Sequence, residues 1–514
     1  MIIVSITPDI ALDIGYTYAG GLGVLEGDKF YAAAKLGLEY VVISLLYKNG
    51  YVSYDFDDDN NPIPLPQPQP RDFIESLSLE DEFEIKLKGE RVQVRAWAYK
   101  LNKAKAIFLE SIYPGWAKKL IDRLYIEDSI ESKFYKYTLL AKAAASYIRR
   151  NLDVEKVKYI DLQEAYTAML PLTLRIPGKY RLVIHTPGPW GHPTFPKYLL
   201  EKEYGYRFIS SQVVLTEIGL ATAREGITVS AKHFDIMGEV LPHFAEKMRY
   251  VTNGINIDRW MDPEIRARVE RGELSIDDLI DIRKNLRHSL IKFLSSIKSI
   301  SNIEDSFIVG WCRRVVTYKR PDFVLRLIDD LKDLKIAYVL GGKAHPYDSE
   351  GLRFMKAFRK MHKERDNVVY IHEYTVSNAR LILKGIDLLL FTPFPGWEAS
   401  GTSFMKAGVN GVPTLASRDG AAIEFIVDDV NGWLFGEDLR ELIDYNVDPK
   451  AEEINEKEYE ELKKKVEYVY DIRDSDPEKY YQISLNAIRT LAPRVGIERT
   501  LKEYYPDILR GIMV

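Results

Sequence analysis

A chain of 514 residues is too long for one ordinary hydrophobic core, so we expect two domains. Its content of 46% hydrophobic and 29% charged residues is typical of a globular protein in water. A formal net charge of −5 provides no basic surface for nucleic acid or for an anionic membrane, and the single cysteine, Cys312, excludes an internal disulfide framework and a cysteine-rich metal site.

The apolar runs of the sequence alternate with longer helical patterns, which predicts parallel α/β layers. The first run, in "MIIVSITPDIALDIG", has no basic leader and predicts a core strand. Because no apolar run reaches the about 18 residues of a membrane span, we expect a cytoplasmic protein. The predicted strands are 2–6, 39–47, 91–99, 105–110, 157–162, 180–185 and 249–252 in the first half, and 307–313, 335–340, 367–372, 386–391 and 412–416 in the second.

A polar, charged helical segment separates the two series of strands and ends near residue 305. We therefore predict an N-terminal domain of residues 1–305 and a C-terminal domain of residues 306–514. Within the first domain, "DFDDDNNPIPLPQPQP" (55–70) carries five prolines at alternate positions. Proline cannot donate to a sheet ladder, so we expect an extended surface excursion here, either a solvated loop or a partner site.

The glycine turn "YAGGLGVLEGD" (18–28) follows the first strand and leads into a helix. Gly20, Gly21 and Gly23 leave backbone N–H groups open to a phosphate or a sugar beside the helix start. A dinucleotide fingerprint would need glycine where Glu26 stands, so a nicotinamide cofactor is disfavoured. An ordinary strand-to-helix turn explains the stretch equally well.

The basic run "WCRRVVTYKRPDF" (311–323) places four cations within eight residues, between a buried strand and a helix. Lys319 and Arg320 precede Pro321, which suits the first helical turn. Positive charges are unfavourable at a helix start, so the run predicts a bound anion of multiple charge. The alternative is a solvated basic loop.

The stretch "EASGTSFMK" (398–406) puts a lysine in apolar surroundings, where a permanent ammonium is costly. A helix that starts near Ser400 would leave the N–H groups of 402–404 unpaired and place Lys406 about 6 Å along the axis from Thr402. This spacing suits pyridoxal phosphate, whose phosphate would rest at the helix start and whose aldehyde would form an imine with Lys406. A snorkelling lysine is the alternative.

Other polar residues also fall at the ends of predicted strands, the side of an open parallel sheet that meets ligands. They are Glu164, His185, Asn253, Arg313, Arg314, Tyr374 and Glu398. If two such domains face each other, all of these residues line one cleft. His185 and His192 lack further ligands at metal spacing, so we expect no metal. Glu164, Glu398 and Glu424 leave the paired carboxylates of a glycosidase as an open alternative.

The chain resembles the α-glucan phosphorylases, and within them the short bacterial and archaeal form. The motifs that carry the resemblance are "IALDIGYTYAGGLGVLEGD", "DLQEAY", "HTPGPWGH", "VTNGINIDRW", "RRVVTYKR", "LGGKAHP" and "EASGTSFMKAGVNGV". The resemblance implies two Rossmann-like domains facing a cleft (the GT-B fold), with pyridoxal 5′-phosphate as cofactor. It implies a retaining phosphorolysis of the terminal glucosyl unit of glycogen or maltodextrin by orthophosphate to α-glucose 1-phosphate, with the cofactor phosphate as proton relay.

The resemblance also implies residue roles. The implied catalytic residues are Arg314, Lys319, His185 and Lys406. The implied cofactor residues are Lys406 as attachment point, Lys319, Thr402, Ser403 and the Gly21 backbone around the phosphate, and Tyr374 and Trp260 nearby. The implied substrate residues are Arg313 and Arg314 for phosphate and Gly20, Leu22, Glu164, His185, Asn253, Glu398, Ser400 and Gly401 for the glucosyl unit.

Three residues depart from the family pattern. Gln163 and Tyr166 stand where short forms usually carry asparagine and histidine, and Phe404 replaces a small residue beside the phosphate loop. We expect none of the phosphorylation or nucleotide control of the animal enzymes, and a homodimer is left open. Two alternatives remain: a nucleotide-sugar glucan synthase of the same fold, which has no use for an imine at Lys406, and a non-catalytic glucan-binding protein, which would have lost cations or Lys406.

Overall fold

The structure, a computed structural model, describes residues 1–300 and 302–510. The strands are β1 (Ile2–Ile6), β2 (Glu39–Leu45), β3 (Ser53–Phe56), β4 (Pro62–Leu65), β5 (Ser78–Leu87), β6 (Glu90–Leu101), β7 (Ala104–Tyr113), β8 (Val157–Gln163), β9 (Tyr180–Val183), β10 (Thr194–Pro196), β11 (Gln212–Val214), β12 (Glu225–Thr228), β13 (Met248–Tyr250), β14 (Phe307–Cys312), β15 (Ile336–Gly341), β16 (Val368–Ile371), β17 (Leu388–Phe391), β18 (Thr414–Ser417) and β19 (Trp433–Phe435).

The α-helices are α1 (Gly21–Lys35), α2 (Arg71–Glu75), α3 (Gly115–Lys119), α4 (Ile130–Asn151), α5 (Leu170–Thr173), α6 (Lys197–Tyr204), α7 (Leu215–Thr222), α8 (Ala231–Val240), α9 (Ile257–Trp260), α10 (Pro263–Arg271), α11 (Ile276–Ile297), α12 (Pro321–Asp330), α13 (Ser349–Glu364), α14 (Val376–Gly385), α15 (Ser403–Gly408), α16 (Ala422–Phe425), α17 (Lys450–Ser475), α18 (Pro477–Leu491), α19 (Ile497–Tyr504) and α20 (Pro506–Leu509). In the described part of the chain, no helix is both long and apolar enough to cross a bilayer.

The chain forms two compact units. Unit 1 consists of Met1–Val52, Pro66–Thr252 and the C-terminal residues from Thr500, and unit 2 consists of Ser53–Leu65 and Asn253–Arg499. The segment 253–305 lies with unit 2. Its helix α11 packs on α14, and Arg283 donates a hydrogen bond to the Ile386 carbonyl at 2.5 Å. The predicted domain boundary near residue 305 stays a prediction.

The sheet of unit 1 has nine strands in the order β13-β12-β9-β8-β1-β2-β7-β6-β5. The seven strands from β13 to β7 are parallel, and β6 and β5 extend the edge as antiparallel strands. β1 is buried along its whole length, as its uninterrupted apolar run requires in the centre of a parallel sheet. β5, which was not predicted, alternates charged and apolar residues because one of its faces is open to solvent.

The sheet of unit 2 has six parallel strands in the order β16-β15-β14-β17-β18-β19. Counted from β14, this is the 3-2-1-4-5-6 order of the Rossmann fold. The predicted α/β class with two Rossmann-like parallel sheets is therefore confirmed. In unit 2 the order reverses between β14 and β17, and in unit 1 it reverses between β1 and β8.

The proline-rich segment is more ordered than predicted. β3 and β4 form an antiparallel hairpin in which Ser53 pairs with Leu65 and Phe56 with Pro62. The expectation that this segment stays out of any ladder is wrong, because a two-stranded hairpin has only edge strands and the prolines of β4 need no second partner. The hairpin belongs to unit 2: the Tyr54 hydroxyl donates to the Ala344 carbonyl at 3.1 Å.

Candidate active site

The polar residues predicted in unit 2 gather where its strand order reverses. The chain leaves the neighbouring strands β14 and β17 in opposite directions, and open α/β sheets bind ligands in the crevice at the carboxyl ends of such a strand pair. Arg313 directly follows β14, and Glu398 lies in the loop after β17. Lys319 ends a short 3₁₀ helix, Thr317–Lys319, that connects β14 to α12.

Arg313, Lys319 and Glu398 form one charged cluster. Arg313 Nη2 and Lys319 Nζ both donate to Glu398 Oε2, each at 2.7 Å. The three side chains are only 7%, 10% and 11% exposed, in the same order. Two cations against one carboxylate leave an excess positive charge in a place where an unpaired charge is costly.

The pKa values in the charged cluster follow from burial and from this imbalance. Burial and the neighbouring Arg313 lower the pKa of Lys319 to about 7, against the partial compensation of Glu398. Burial alone would raise the pKa of Glu398, but Lys319 and Arg313 hold it below its ordinary value. Glu398 is therefore an anion at neutral pH, whereas Lys319 is close to its titration midpoint.

Several donors beside the charged cluster have no acceptor. Among the described residues, nothing accepts a hydrogen bond from Arg313 Nε or Nη1, and Ser400 Oγ is buried without a partner. The Arg313 guanidinium also lies over the Phe391 ring, 4.3 Å from its centroid, which fixes the plane in which these N–H groups point. Buried unpaired donors in an excess positive field are the features of an anion site.

The loop that carries Glu398 and Ser400 is held by Asp419. The Asp419 carboxylate accepts the Gly396 N–H at 2.9 Å and the Glu398 N–H at 2.8 Å. The packing is close: a Cβ at Gly401, where φ is +72°, would overlap the Phe391 ring, and a Cβ at Gly420 would overlap the Ser400 carbonyl. The position of the Glu398 carboxylate is therefore fixed by backbone contacts.

Helix α15 begins later than predicted. It starts at Ser403 with Thr402 as N-cap, not near Ser400, because Gly401 has left-handed backbone angles that end any helical path before it. The Lys406 N–H donates to the Thr402 carbonyl at 3.2 Å, so the first-turn N–H groups are those of Ser403, Phe404 and Met405.

Lys406 lies against an aromatic ring. Its Nζ is 4.2 Å from the centroid of the Trp260 ring, and the residue is 8% exposed. Asn410 ties the two together, because its Nδ2 donates to the Trp260 carbonyl at 2.9 Å and to the Lys406 carbonyl at 2.8 Å. The lysine does not snorkel into water: its amine stays at an aromatic face inside unit 2.

The glycine turn of unit 1 opens α1. Gly20 is its N-cap, and a Cβ would meet no atom within 4 Å at either Gly20 or Gly21, so the space around this helix start is open. Gly23, by contrast, is required by packing, since a Cβ there would lie 2.6 Å from the Asp9 carboxylate. The space beside Gly20 and Gly21 is therefore open, and their role in binding a ligand stays a prediction, as does that of Leu22.

Glu164 and His185 meet in unit 1, after β8 and β9. The His185 N–H donates to Glu164 Oε2 at 2.7 Å, and Glu164 adopts a positive φ of 66°. His185 Nε2 lies 2.8 Å from Gln163 Oε1. Burial, with smaller effects of Lys29 and His233, lowers the pKa of His185 well below its ordinary value, so the imidazole is neutral at pH 7.

The two departures in "DLQEAY" both support this arrangement. Gln163 accepts from His185 and donates to Ser5 Oγ at 3.0 Å. The Tyr166 hydroxyl donates to the Trp190 carbonyl at 3.0 Å and so holds the loop that follows His185. Because Gln163 Oε1 can only accept, His185 carries its proton on Nε2, and His185 Nδ1 remains an acceptor.

The remaining predicted residues differ in placement. Arg314 is exposed, whereas Asn253 is buried and its Oδ1 has no partner among the described residues. Tyr374 packs against Gly341, where a Cβ would lie 3.0 Å from its ring. Arg320 does not join the anion site: it turns away to Glu458 at 2.7 Å and to the carbonyls of 392 and 393, so this part of the sequence prediction is wrong.

The comparison with family models matches residues 276–491 to the carbohydrate phosphorylase model, a range that contains the charged cluster and Lys406. The chain is 25% identical to a maltodextrin phosphorylase of Thermococcus litoralis, over 95% of this chain and 68% of that protein. It is 24% identical to glycogen phosphorylases of Aquifex aeolicus, over 96% and 84% of the two chains, and of Mycobacterium tuberculosis, over 95% and 68%. The chain is therefore similar to carbohydrate phosphorylases, over residues 276–491 by the family model and over most of its length by these relatives.

The residues that support the site from outside the charged cluster were not predicted. Asn410 and Thr392 are buried polar residues; the Thr392 hydroxyl donates to the Lys319 carbonyl at 2.8 Å and accepts from the Trp311 indole at 3.0 Å. Asp419 had a local signal, since "RDG" follows the end of β18 as "RR" follows β14. Asn410 and Thr392 had no signal, because Asn410 is 150 residues from Trp260 and Thr392 is 73 residues from Lys319.

Proposed function

We propose that this chain is an α-1,4-glucan phosphorylase, which transfers the terminal glucosyl unit of glycogen or a maltodextrin to orthophosphate with retention and releases α-glucose 1-phosphate. The observation that carries the proposal is the charged cluster, which is buried, has an excess positive charge and leaves Arg313 Nε and Nη1 without acceptors among the described residues. An orthophosphate dianion supplies both the missing charge and the missing acceptors. A cytoplasmic location and a homodimer stay predictions.

In the proposed phosphate site, three cationic side chains donate hydrogen bonds to the anion. Arg313 presents a fixed fork of donors, since Glu398 holds Nη2 and the Phe391 ring holds its plane. Lys319 donates once it is protonated, and bound phosphate favours that state. Arg314, exposed beside Arg313, closes on the anion as a second fork that lysine cannot reproduce.

In unit 1, the groups proposed for the sugar are an uncharged histidine and a carboxylate. His185 is uncharged and its Nδ1 can accept from a hydroxyl, while the Glu164 carboxylate accepts the His185 N–H at 2.7 Å. Ser400 Oγ and Asn253 Oδ1 are buried without partners in the described chain, so a sugar hydroxyl would satisfy them. The assignments of Gly20, Leu22 and Gly401 to the glucosyl unit stay predictions from the resemblance.

The residues present fit pyridoxal phosphate. Lys406 is buried at the face of Trp260, as an attachment lysine beside an aromatic ring should be, and Lys319 carries an amine near its titration midpoint. Lys406 would attach the cofactor, Trp260 and Tyr374 would flank it, and Thr402, Ser403 and Lys319 would hold its phosphate; the role of the Gly21 backbone stays a prediction from the resemblance. When bound, the cofactor supplies a phosphate that exchanges a proton with orthophosphate. Borohydride reduction and peptide mapping should then place a pyridoxyl group on Lys406, and an unmodified Lys406 would remove the cofactor from the proposal.

Initial rates test the proposed reaction. We expect release of glucose 1-phosphate from maltoheptaose only when orthophosphate is present, and chain extension from glucose 1-phosphate in reverse. Arg314→Lys should raise the KM for phosphate about tenfold, since a charge-assisted hydrogen bond is worth about 1.5–3 kcal/mol. The KM for the glucan should change little, and the thermal stability should be unaffected because Arg314 is exposed.

Two outcomes contradict this proposal. Extension of glucans from a nucleotide sugar, with no response to phosphate or glucose 1-phosphate, would establish the synthase alternative. An Arg314→Lys enzyme that loses glucan affinity but keeps its phosphate KM would place Arg314 in the sugar site.

A further inference from the structure

A cavity of about 270 Å³ lies in unit 2 beside the charged cluster. Tyr318 lines it, while the next residue, Lys319, binds Glu398. The Phe394 N–H donates to the Tyr318 carbonyl at 2.6 Å, so the wall of the cavity is continuous with the loop after β17. None of the residues assigned above to phosphate, sugar or cofactor lines this cavity.

The apolar walls of the cavity are aromatic. The Tyr445 ring lies 6.5 Å from the Tyr318 ring and 6.1 Å from the Phe394 ring, at tilted angles of 39° and 51°. Phe354 adds a fourth ring, with the Arg353 guanidinium 5.5 Å from its centroid. Such faces offer flat apolar surface at little cost in conformational entropy.

Three polar side chains at the cavity, Asp322, Asn455 and Thr317, have groups without a hydrogen-bond partner among the described residues. Among the described residues, no other residue donates a hydrogen bond to the Asp322 carboxylate, and no residue bonds the Asn455 amide nitrogen or the Thr317 hydroxyl. Burial raises the pKa of Asp322 even though Arg320 is close. A carboxylate acceptor, an amide donor and a hydroxyl thus face the same space, each free for a ligand.

Both guanidinium groups that line the cavity are paired with carboxylates. Arg320 is paired with Glu458 at 2.7 Å, and Arg353 with Glu350 at 2.6 Å. An anion would meet Asp322, and a cation would meet two guanidinium groups, so a neutral ligand with both donors and acceptors fits best. We propose that this cavity is a second binding site, for one pyranose ring that stacks on the aromatic walls and bonds to Asp322 and Asn455 through its hydroxyls.

The volume limits the occupant. Pockets for drug-sized ligands usually measure about 300–1,000 Å³, so this cavity holds about one sugar ring. The ring can belong to a free monosaccharide or to the end of a glucan chain, since both present the same hydroxyls. The proposed site does not depend on the phosphorolysis reaction, and it would exist in a member of the fold with any activity.

Hydrogen exchange of the full-length protein with D-glucose, maltoheptaose or sodium sulfate tests the site. With glucose we expect slower exchange in 353–354 and 445–455, which lie outside the proposed active site. Asp322→Asn and Asn455→Ala should each weaken this protection about tenfold in apparent Kd, because each removes a buried hydrogen bond to the ligand. Asn455→Ala removes an acceptor 3.3 Å from Arg320 Nη1, but Arg320 keeps Glu458 and alanine favours helix α17, so we expect the fold to be retained. Asp329→Asn, the same change on the exposed end of α12, should have no effect.

Each result decides the proposal. Protection by glucose alone indicates a free monosaccharide, and protection by maltoheptaose as well indicates a glucan end. Protection by sulfate at the same segments would overturn the neutral-ligand assignment. Absence of protection by both sugars, or protection that survives Asp322→Asn and Asn455→Ala unchanged, would overturn the site.

Discussion

Lys319 has a position that is fixed by the protein and a protonation state that a bound ligand can change. Its amine donates to Glu398 at 2.7 Å, and its carbonyl accepts from Thr392 at 2.8 Å, so its position does not depend on a ligand. Its protonation does, because burial and Arg313 lower the pKa to about 7. A bound dianion reverses that imbalance, so anion binding and protonation of Lys319 are linked.

Anion affinity should therefore depend on pH. A dianion stabilises the protonated amine, so affinity should be highest below pH 7 and should fall as the pH rises above it, with proton uptake on binding. Calorimetric titration with sulfate, a dianion throughout, in two buffers of different ionisation enthalpy measures that uptake at pH 8. Lys319→Arg keeps the charge at every pH and should abolish the uptake. Equal uptake by both proteins would show that another group titrates.

At the scale of elements, the short helix α15 is placed by the residues before it. Gly401 has a φ of +72° and packs against Phe391, while Gly420 packs against the Ser400 carbonyl. These close contacts fix where the helix starts and hence the direction of Lys406. Phe404, which departs from the family pattern, fills the space between Phe391 and Phe425, with ring centroids 5.8 Å and 6.1 Å away.

Gly401→Ala should destabilise unit 2 and displace the loop of Glu398. The left-handed backbone costs about 1–2 kcal/mol with a Cβ, and overlap with Phe391 adds about 1–3 kcal/mol. Urea unfolding monitored by tryptophan fluorescence should show the loss. The matched control is Gly238→Ala in α8, where a Cβ meets no atom within 4 Å and helix propensity improves. If Gly401→Ala and Gly238→Ala unfold at the same urea concentration, a Cβ at position 401 causes no strain and the prediction is wrong.

At the scale of the whole molecule, the chain order and the compact units do not coincide. The hairpin β3–β4 comes between two segments of unit 1 but lies in unit 2. There Glu373 accepts from the Ser53 hydroxyl and the Tyr54 N–H, both at 2.9 Å, and pairs with Lys343 at 2.9 Å. The hairpin thus supports the loop that precedes Tyr374.

Replacement of Ser53–Leu65 by a Gly-Gly-Ser linker should loosen unit 2 selectively. The flanking residues are already joined, since Gly50 N–H donates to the Gln67 carbonyl at 2.6 Å, so a short linker can close the gap. We expect faster hydrogen exchange in β15 and β16 and unchanged exchange in β1 and β2. Ile63→Ser, on an exposed hairpin side chain, is the control. A uniform increase across both sheets would contradict a local supporting role.

The alternation of apolar runs and helical patterns determined by itself the α/β class and most strands of both sheets, because a buried parallel strand needs an uninterrupted apolar run. The sequence also placed the charged residues at strand ends and singled out Lys406. Only the tertiary structure showed that Arg320 leaves the anion site for Glu458, that the proline-rich segment forms a hairpin in unit 2, and that Asn410 links Lys406 to Trp260. These outcomes depend on partners more than a hundred residues away, and side-chain type and local spacing carry no information about such pairings.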